Sequence, residues 1–289
     1  MAKFWWGSSV DRHSLHWIAW DKLATPKIKG GMGFRDLRQF NLALLGKHGR
    51  RFMTKPDALC TRVMKGRYFP NRVFMQATTP KSSSAIWRAI VAGREALNVG
   101  LVKRIGDGIS TSVWEDRWIP STATMKPLFR PPASMVAMVT DLIDEDNWTW
   151  KHDLVHATFI APDAEAILNI PLRQRGGDDF LAWTHERTGI YSVKSAYRAL
   201  MNQKERLALE EGQMEMPSMN EQYMWSQLWK LKVVPKVRVF WWRVLNGIIP
   251  DECTLHHRHI KDTSLCKLCL AMDEDLMHAL VHCSHARHF

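Results

Sequence analysis

No run of apolar residues in this chain approaches the length of a membrane span, which excludes a transmembrane helix and a membrane partner. The first residues, Met1-Ala2-Lys3-Phe4-Trp5-Trp6-Gly7, lead straight into polar sequence and do not read as a secretory signal. Cysteine is sparse, five in 289 residues and odd in number, so a disulfide scaffold is excluded. The expectation is an intracellular protein, nuclear or cytoplasmic, with reduced thiols, a setting in which clustered cysteines favour metal over disulfide.

Enzyme signatures are also missing. Gly30-Gly31-Met32-Gly33 lacks the Gly-Lys-Ser/Thr ending of a phosphate loop. No Gly-x-Ser-x-Gly elbow and no His-Glu-x-x-His helix occurs. Gly177-Asp178-Asp179-Phe180 superficially resembles the paired aspartates of a polymerase palm. A palm needs a third carboxylate on another strand to hold two metal ions, and nothing upstream supplies it, so the segment reads as a turn before a strand. The expectation is a non-catalytic chain with no small-molecule substrate. No repeat at a solenoid period is present.

What is there is a globular balance, 46% hydrophobic and 24% charged, with room for two domains or one large one. Fourteen Trp and fifteen Met supply packing mass. The charge is one-ended. Residues 1–120 carry 21 Lys+Arg against 8 Asp+Glu, and residues 121–289 carry 19 against 21. Such asymmetry points to a polyanion, most simply nucleic acid (RNA or DNA), with a solvated basic surface as the plain alternative. Lys47, Arg50, Arg51, Lys103 and Arg104 are the candidate phosphate contacts. Part of the charge at Lys47, Arg50 and Arg51 also complements a helix dipole.

Periodicity predicts helices over 36–53, 57–68, 84–97 (capped from the serine run), 163–168, and from a Ser192 cap to about residue 201. Asp107-Gly108 between β-prone flanks predicts a hairpin of 102–105 with 110–114, and a second is predicted from 180–184 with 190–193. Residues 203–221 read as a flexible linker or frayed helix. Trp225, Leu228 and Trp229, then Val237, Phe240, Trp241, Val244 and Leu245, follow helical spacing on either side of Pro235, a first-turn residue. The fold class is mainly α with small β-hairpins (α+β), ending in a helical metal-binding module. Composition divides the chain into a basic region 1–120, a mixed hairpin and helix region 121–221, and a C-terminal domain 222–289, with the proline-rich stretch around Pro120–Pro132 as the first boundary.

The most specific chemistry lies at the C-terminus. Cys266 and Cys269 have the two-residue gap that lets both sulfurs converge on one ion, and His278 and Cys283 complete a three-sulfur, one-nitrogen tetrahedral set suited to zinc. Four protein ligands leave no open position, so one structural zinc is expected. Asp273-Glu274-Asp275 reads as an acidic helix start before His278. Residues five apart do not share an α-helical face, so Cys283 must come from a terminating turn. The alternative is a pair of buried thiols beside a surface histidine. His256, His257, His259, His282, His285 and His288 are near in sequence and read as solvated, while Cys60 and Cys253 read as small packing residues.

These residues resemble a known family. Trp225-x-x-x-Trp229, Val234-Pro235-Lys236-Val237, Phe240-Trp241-Trp242-Arg243, Gly247 and the four ligands resemble the reverse-transcriptase zinc-binding domain of plant non-LTR (LINE-type) retrotransposon polyproteins. Upstream, His16-Trp17-x-x-Trp20, Gly30-Gly31-Met32-Gly33-Phe34, Ile105-Gly106-Asp107-Gly108, Trp114-x-Asp116-x-Trp118 and Gly189-x-Tyr191-Ser192-Val193-Lys194 are similar to the family's segment after the polymerase. The resemblance implies a fragment of a retroelement polyprotein that lacks the polymerase, endonuclease and ribonuclease H parts. It implies the same four zinc ligands and contact with nucleic acid. A polymerase as protein partner, with the 237–245 helix as docking face, and a decayed relic without selected function are the alternatives.

Overall fold

A computed structural model describes residues 16–120, 124–132, 134–172, 177–212 and 218–288. The N-terminal segment Met1–Gly7 and residues 213–217 of the polar stretch lie outside the described residues. The architecture is mainly helical with two small antiparallel sheets of two strands each. Contacts gather the described residues into two units, 16–36 with 218–288, and 37–212. Helix α1 (Trp20–Ala24) belongs to the first unit.

The second unit opens with α2 (Leu37–Thr54) and α3 (Leu59–Tyr68), close to the predicted spans. The single helix expected over 84–97 is broken into α4 (Ala85–Ala92) and α5 (Arg94–Asn98). Ser84 caps α4 as expected, accepting the Trp87 backbone N–H at 3.2 Å. The break falls at Gly93, where α2 passes so close that a Cβ would lie 2.6 Å from the Leu45 carbonyl carbon. Only glycine allows that approach. Trp87 centres the core beneath these helices. It is fully buried, stacks on Tyr68 and Phe69 at 4.6 and 5.5 Å, and donates its indole N–H to Thr78 O at 3.1 Å.

Then come β1 (Leu101–Arg104), β2 (Ile143–Asp144), β3 (Thr149–Trp150), α6 (His152–Thr158), α7 (Ala161–Leu168), β4 (Phe180–Trp183) and α8 (Val193–Glu210). The hairpin predicted over 102–114 does not form. β1 pairs antiparallel with β4, Leu101 opposite Trp183 and Arg104 opposite Phe180. The Asp107-Gly108 turn is there, but Asp179 holds it from a distance. Its carboxylate accepts from the Gly106 and Gly108 N–H groups at 2.7 and 3.0 Å and from the Ser110 and Thr111 hydroxyls at 3.1 and 2.6 Å. With β1 already paired to β4, residues 110–114 run elsewhere, and Ser112 bridges Met138. The second predicted hairpin keeps only its first arm, β4. Residues 190–193 form no strand, although Trp183 N–H closes the turn on Gly189 O at 2.8 Å.

β2 and β3 form a short hairpin over a second core that contains fully buried Trp118, Ile119, Leu142, Ile143 and Ile167. Helix α6 gave no periodic signal because it is only two turns long. Helix α8 starts at its Ser192 cap and runs to Glu210, well past residue 201. Residues 203–210 are therefore helical: Lys, Arg, Glu, Leu and Ala are strong helix formers, and Arg206 pairs with Glu210 one turn on. Their polarity reflects a solvent-facing helix. Tyr191, just before α8, is buried and donates its hydroxyl to Ala43 O of α2 at 2.8 Å, and burial pushes its phenol well above the usual range.

In the first unit, α9 (Met219–Lys230), α10 (Pro235–Leu245) and α11 (Glu252–His257) follow. α9 begins with a capping box between Ser218 and Glu221, and Pro235 sits in the first turn of α10 as expected. Leu23 of α1, Trp225 and Leu228 of α9, Trp242 of α10 and Ile248 make the core. The Gly30-Gly31 turn lies against it. Gly30 is left-handed at φ 83°, and a Cβ there would meet the Trp225 ring at 3.0 Å. At Gly31 a Cβ would fall 2.1 Å from Thr25 O. Gly30 makes room for the Trp225 ring of α9, and Gly31 for the close return of the chain onto Thr25.

Candidate metal centre

The C-terminal part of the first unit is assembled from short pieces. Asp251 caps α11 through the Thr254 N–H at 2.6 Å. Beyond it, residues 264–274 fold into a tight loop. Glu274 N–H donates to Ser264 O at 2.8 Å, Cys266 N–H to Met272 O at 2.9 Å, and Leu270 N–H to Cys266 O at 2.9 Å. Leu270 takes a left-handed φ of 54°, which reverses the chain just after Cys269. The loop is tied to α11 by the Cys253 N–H donating to Glu274 O at 3.1 Å.

Asp275 caps the next turn, its carboxylate accepting the His278 N–H at 2.6 Å. Residues 278–282 form a π-type turn in which Cys283 N–H donates to His278 O at 2.8 Å. Here lies the answer to the five-residue spacing. An α-helix separates positions five apart by more than a turn, whereas the wider π turn brings them into line, a device that recurs at functional sites. Cys283 is thus delivered by the terminating turn, as its spacing requires.

The donor atoms of Cys266, Cys269, His278 and Cys283 all lie within 4.8 Å of one another. Cys269 Sγ and His278 Nε2 are 3.3 Å apart. Zinc bonds of about 2.3 Å to sulfur in a tetrahedron put the sulfurs about 3.8 Å apart, so the set needs shifts of an ångström or less to close on an ion. Cys266, His278 and Cys283 are buried. His278 Nε2 is the nitrogen that faces the Cys269 sulfur, while Nδ1 is buried without a hydrogen-bond partner. The Ala271 N–H, with those of Met272, points at the Cys269 sulfur and draws its thiol down to about 7 against the effect of burial. Cys253, by contrast, has its thiol pushed up by burial and by Asp273, Asp251, Asp275 and Glu274. The donor set, three thiols and one imidazole with no cation among them, fits zinc in a closed four-ligand site. His256, His257, His259, His282, His285 and His288 do not join it.

Sequence spacing alone does not single out Asp275 as the residue that fixes His278, but the three-residue step from a carboxylate to a helical N–H is an N-cap signature. The five basic candidates lie in the second unit. Lys47 and Arg51 are exposed one turn apart on α2, and Arg50 is half-buried between them with its Nε enclosed. Lys103 on β1 bonds to Asp116 at 3.3 Å and to the Ser110 carbonyl, while Arg104 beside it is exposed. Asp179 carries no signal in the sequence for its role as organiser of the 106–111 loop.

Residues 191–289 match the family described as zinc-binding in reverse transcriptase. The chain is 44% identical over 129 residues to an uncharacterized mitochondrial protein of Arabidopsis thaliana, an alignment covering 44% of this chain and 84% of that protein. It is 30% identical over 296 aligned positions to a putative ribonuclease H protein of Arabidopsis thaliana, covering 97% of this chain. It spans only 44% of that second relative's length. No solved structure shows significant similarity. Among the described residues, no helix is long and apolar enough to cross a membrane. A zinc-type cluster inside the matched region, with one relative aligned across nearly the whole chain, places it in a family: the chain carries the reverse-transcriptase zinc-binding region of a retroelement protein.

Proposed function

We propose that the chain is a non-catalytic, retroelement-derived module that holds one structural zinc ion on Cys266, Cys269, His278 and Cys283 and associates with nucleic acid. The observation that carries the zinc reading is the convergence of the four donors, all within 4.8 Å. Bound there, zinc supplies a cross-link between the 264–274 loop and the 278–283 turn. The surrounding residues have little else to hold them. Leu265, Leu268, Leu270, Met272, Met277 and Val281 are all exposed, so metal binding carries much of the folding free energy of this segment. The nucleic-acid reading is supported by the basic excess of residues 1–120 and the exposure of Lys47, Arg51 and Arg104.

The test is metal analysis of the purified full chain beside Cys266→Ser and Cys283→Ser. One zinc per chain, lost in both variants, is the expected result. A freshly prepared native chain free of metal overturns the proposal.

A further inference from the structure

We propose that the exposed face of α10 is a stacking site for single-stranded nucleic acid. The inference rests on the nucleic-acid reading above and gives it a place that the basic N-terminal balance does not indicate. Trp242 is the only residue of α10 that is fully buried, while Val237, Phe240, Trp241 and Leu245 remain 38–43% exposed. Phe240 and Trp241 pack edge to face, 5.8 Å apart with their planes at 74°, and both rings remain partly open to solvent.

The charge around them decides the occupant. No Asp or Glu occurs between Glu221 and Asp251, whereas Lys230, Lys232, Lys236, Arg238 and Arg243 do. Lys236 stands four residues before Phe240 and Arg243 three after it, so all three share one helical stripe. Together with Pro235 and Val239 they line one open pocket. A cation on either side of an unstacked ring, in a stretch free of carboxylates, matches a ligand that pairs phosphates with flat bases. Single strands bind in this way, by backbone neutralisation and base–aromatic stacking. A duplex keeps its bases stacked and offers only phosphates.

The test titrates the zinc-loaded full chain with fluorescein-labelled oligo-dT and oligo-U twenty-mers, and with a duplex, over a series of salt concentrations. Phe240→Ala and Trp241→Ala are each expected to weaken single-strand binding about tenfold. Phe240→Tyr is expected to restore it, and duplex binding is expected to be unmoved by all three. The double variant Lys236→Ala with Arg243→Ala is expected to flatten the logarithmic salt dependence by about 1.4. If the wild-type chain binds and the α10 variants bind equally well, while Lys47→Ala with Arg51→Ala does not, the nucleic-acid reading stands and the α10 site is overturned; the face then belongs to a protein. If the wild-type chain binds no nucleic acid, both fall. Should a variant lose its zinc or its helical circular dichroism, photo-crosslinking of the wild-type chain to 4-thiouridine oligomers decides. Adducts within residues 235–245 support the site, and adducts confined to residues 37–120 overturn it.

Discussion

The Trp242 indole donates its N–H to the carbonyl of Gly30 at 2.9 Å, joining positions 212 residues apart in one buried contact. The ring is fully buried beside Leu23, Trp225 and Leu228. Trp242→Phe keeps most of the apolar volume and loses this bond, so it is expected to cost about 1 kcal/mol. Trp242→Ala empties the core and is expected to cost about 3–5 kcal/mol. Urea unfolding of both variants, with the slope checked against wild type, measures the difference. Equal midpoints for wild type and Trp242→Ala would remove this contact from the account of the first unit.

The Gly30 contact also marks the limit of what is legible in the residues. Helices with a clear apolar period stand where the sequence puts them, α2, α3 and α10, and α4 starts at its Ser84 cap. The clustering of Cys266 with Cys269 is legible too, because a two-residue gap between thiols constrains geometry locally, and His278 and Cys283 join the same cluster. Partners chosen over long distances are not. The Asp107-Gly108 turn looks like a hairpin because only its own flanks are visible in the sequence, whereas its true organiser, Asp179, is some seventy residues away. The end of α8 was hidden differently: a solvent-facing helix and a linker share the same polar composition, and the helix-forming bias of residues 203–210 is the better guide.

Removal of zinc by a chelator is expected to loosen the loop at 264–274 and the turn at 278–283 while leaving the second unit folded. The amides of Cys266, Leu270 and Cys283 donate within these two pieces, and their protection depends on the cross-link. Hydrogen exchange followed by mass spectrometry should show faster exchange across 264–283 and unchanged protection in α2 and α8. Uniform protection before and after chelation would mean that the loop holds itself.

Asp275 fixes the turn that presents His278, through one short bond to the His278 N–H. Asp275→Ala is expected to lower stability by about 1 kcal/mol, the usual cost of a lost cap, and to weaken zinc retention without removing a ligand. Asp275→Asn retains an acceptor oxygen and should recover most of both. Competition against a colorimetric zinc chelator ranks the three proteins. If Asp275→Ala holds zinc as tightly as wild type, the turn is held by other contacts.

The carboxylate of Asp179 accepts four hydrogen bonds from the 106–111 loop, and these outweigh its partial burial to hold its pKa below the usual carboxylate value. The folded state therefore favours the ionised form. This contribution is fully present above the unfolded pKa of about 4 and is lost as pH falls through the lower folded value. Asp179→Ala is expected to cost roughly 3 kcal/mol at neutral pH, since hydrogen bonds to a charged group are the stronger kind. Asp179→Asn keeps the shape and removes the charge, so its deficit relative to wild type should shrink as pH drops from 6 towards 3. Thermal melts of the two proteins across that range test the sign. A deficit independent of pH would show that geometry, and not ionisation, is what Asp179 supplies to the loop.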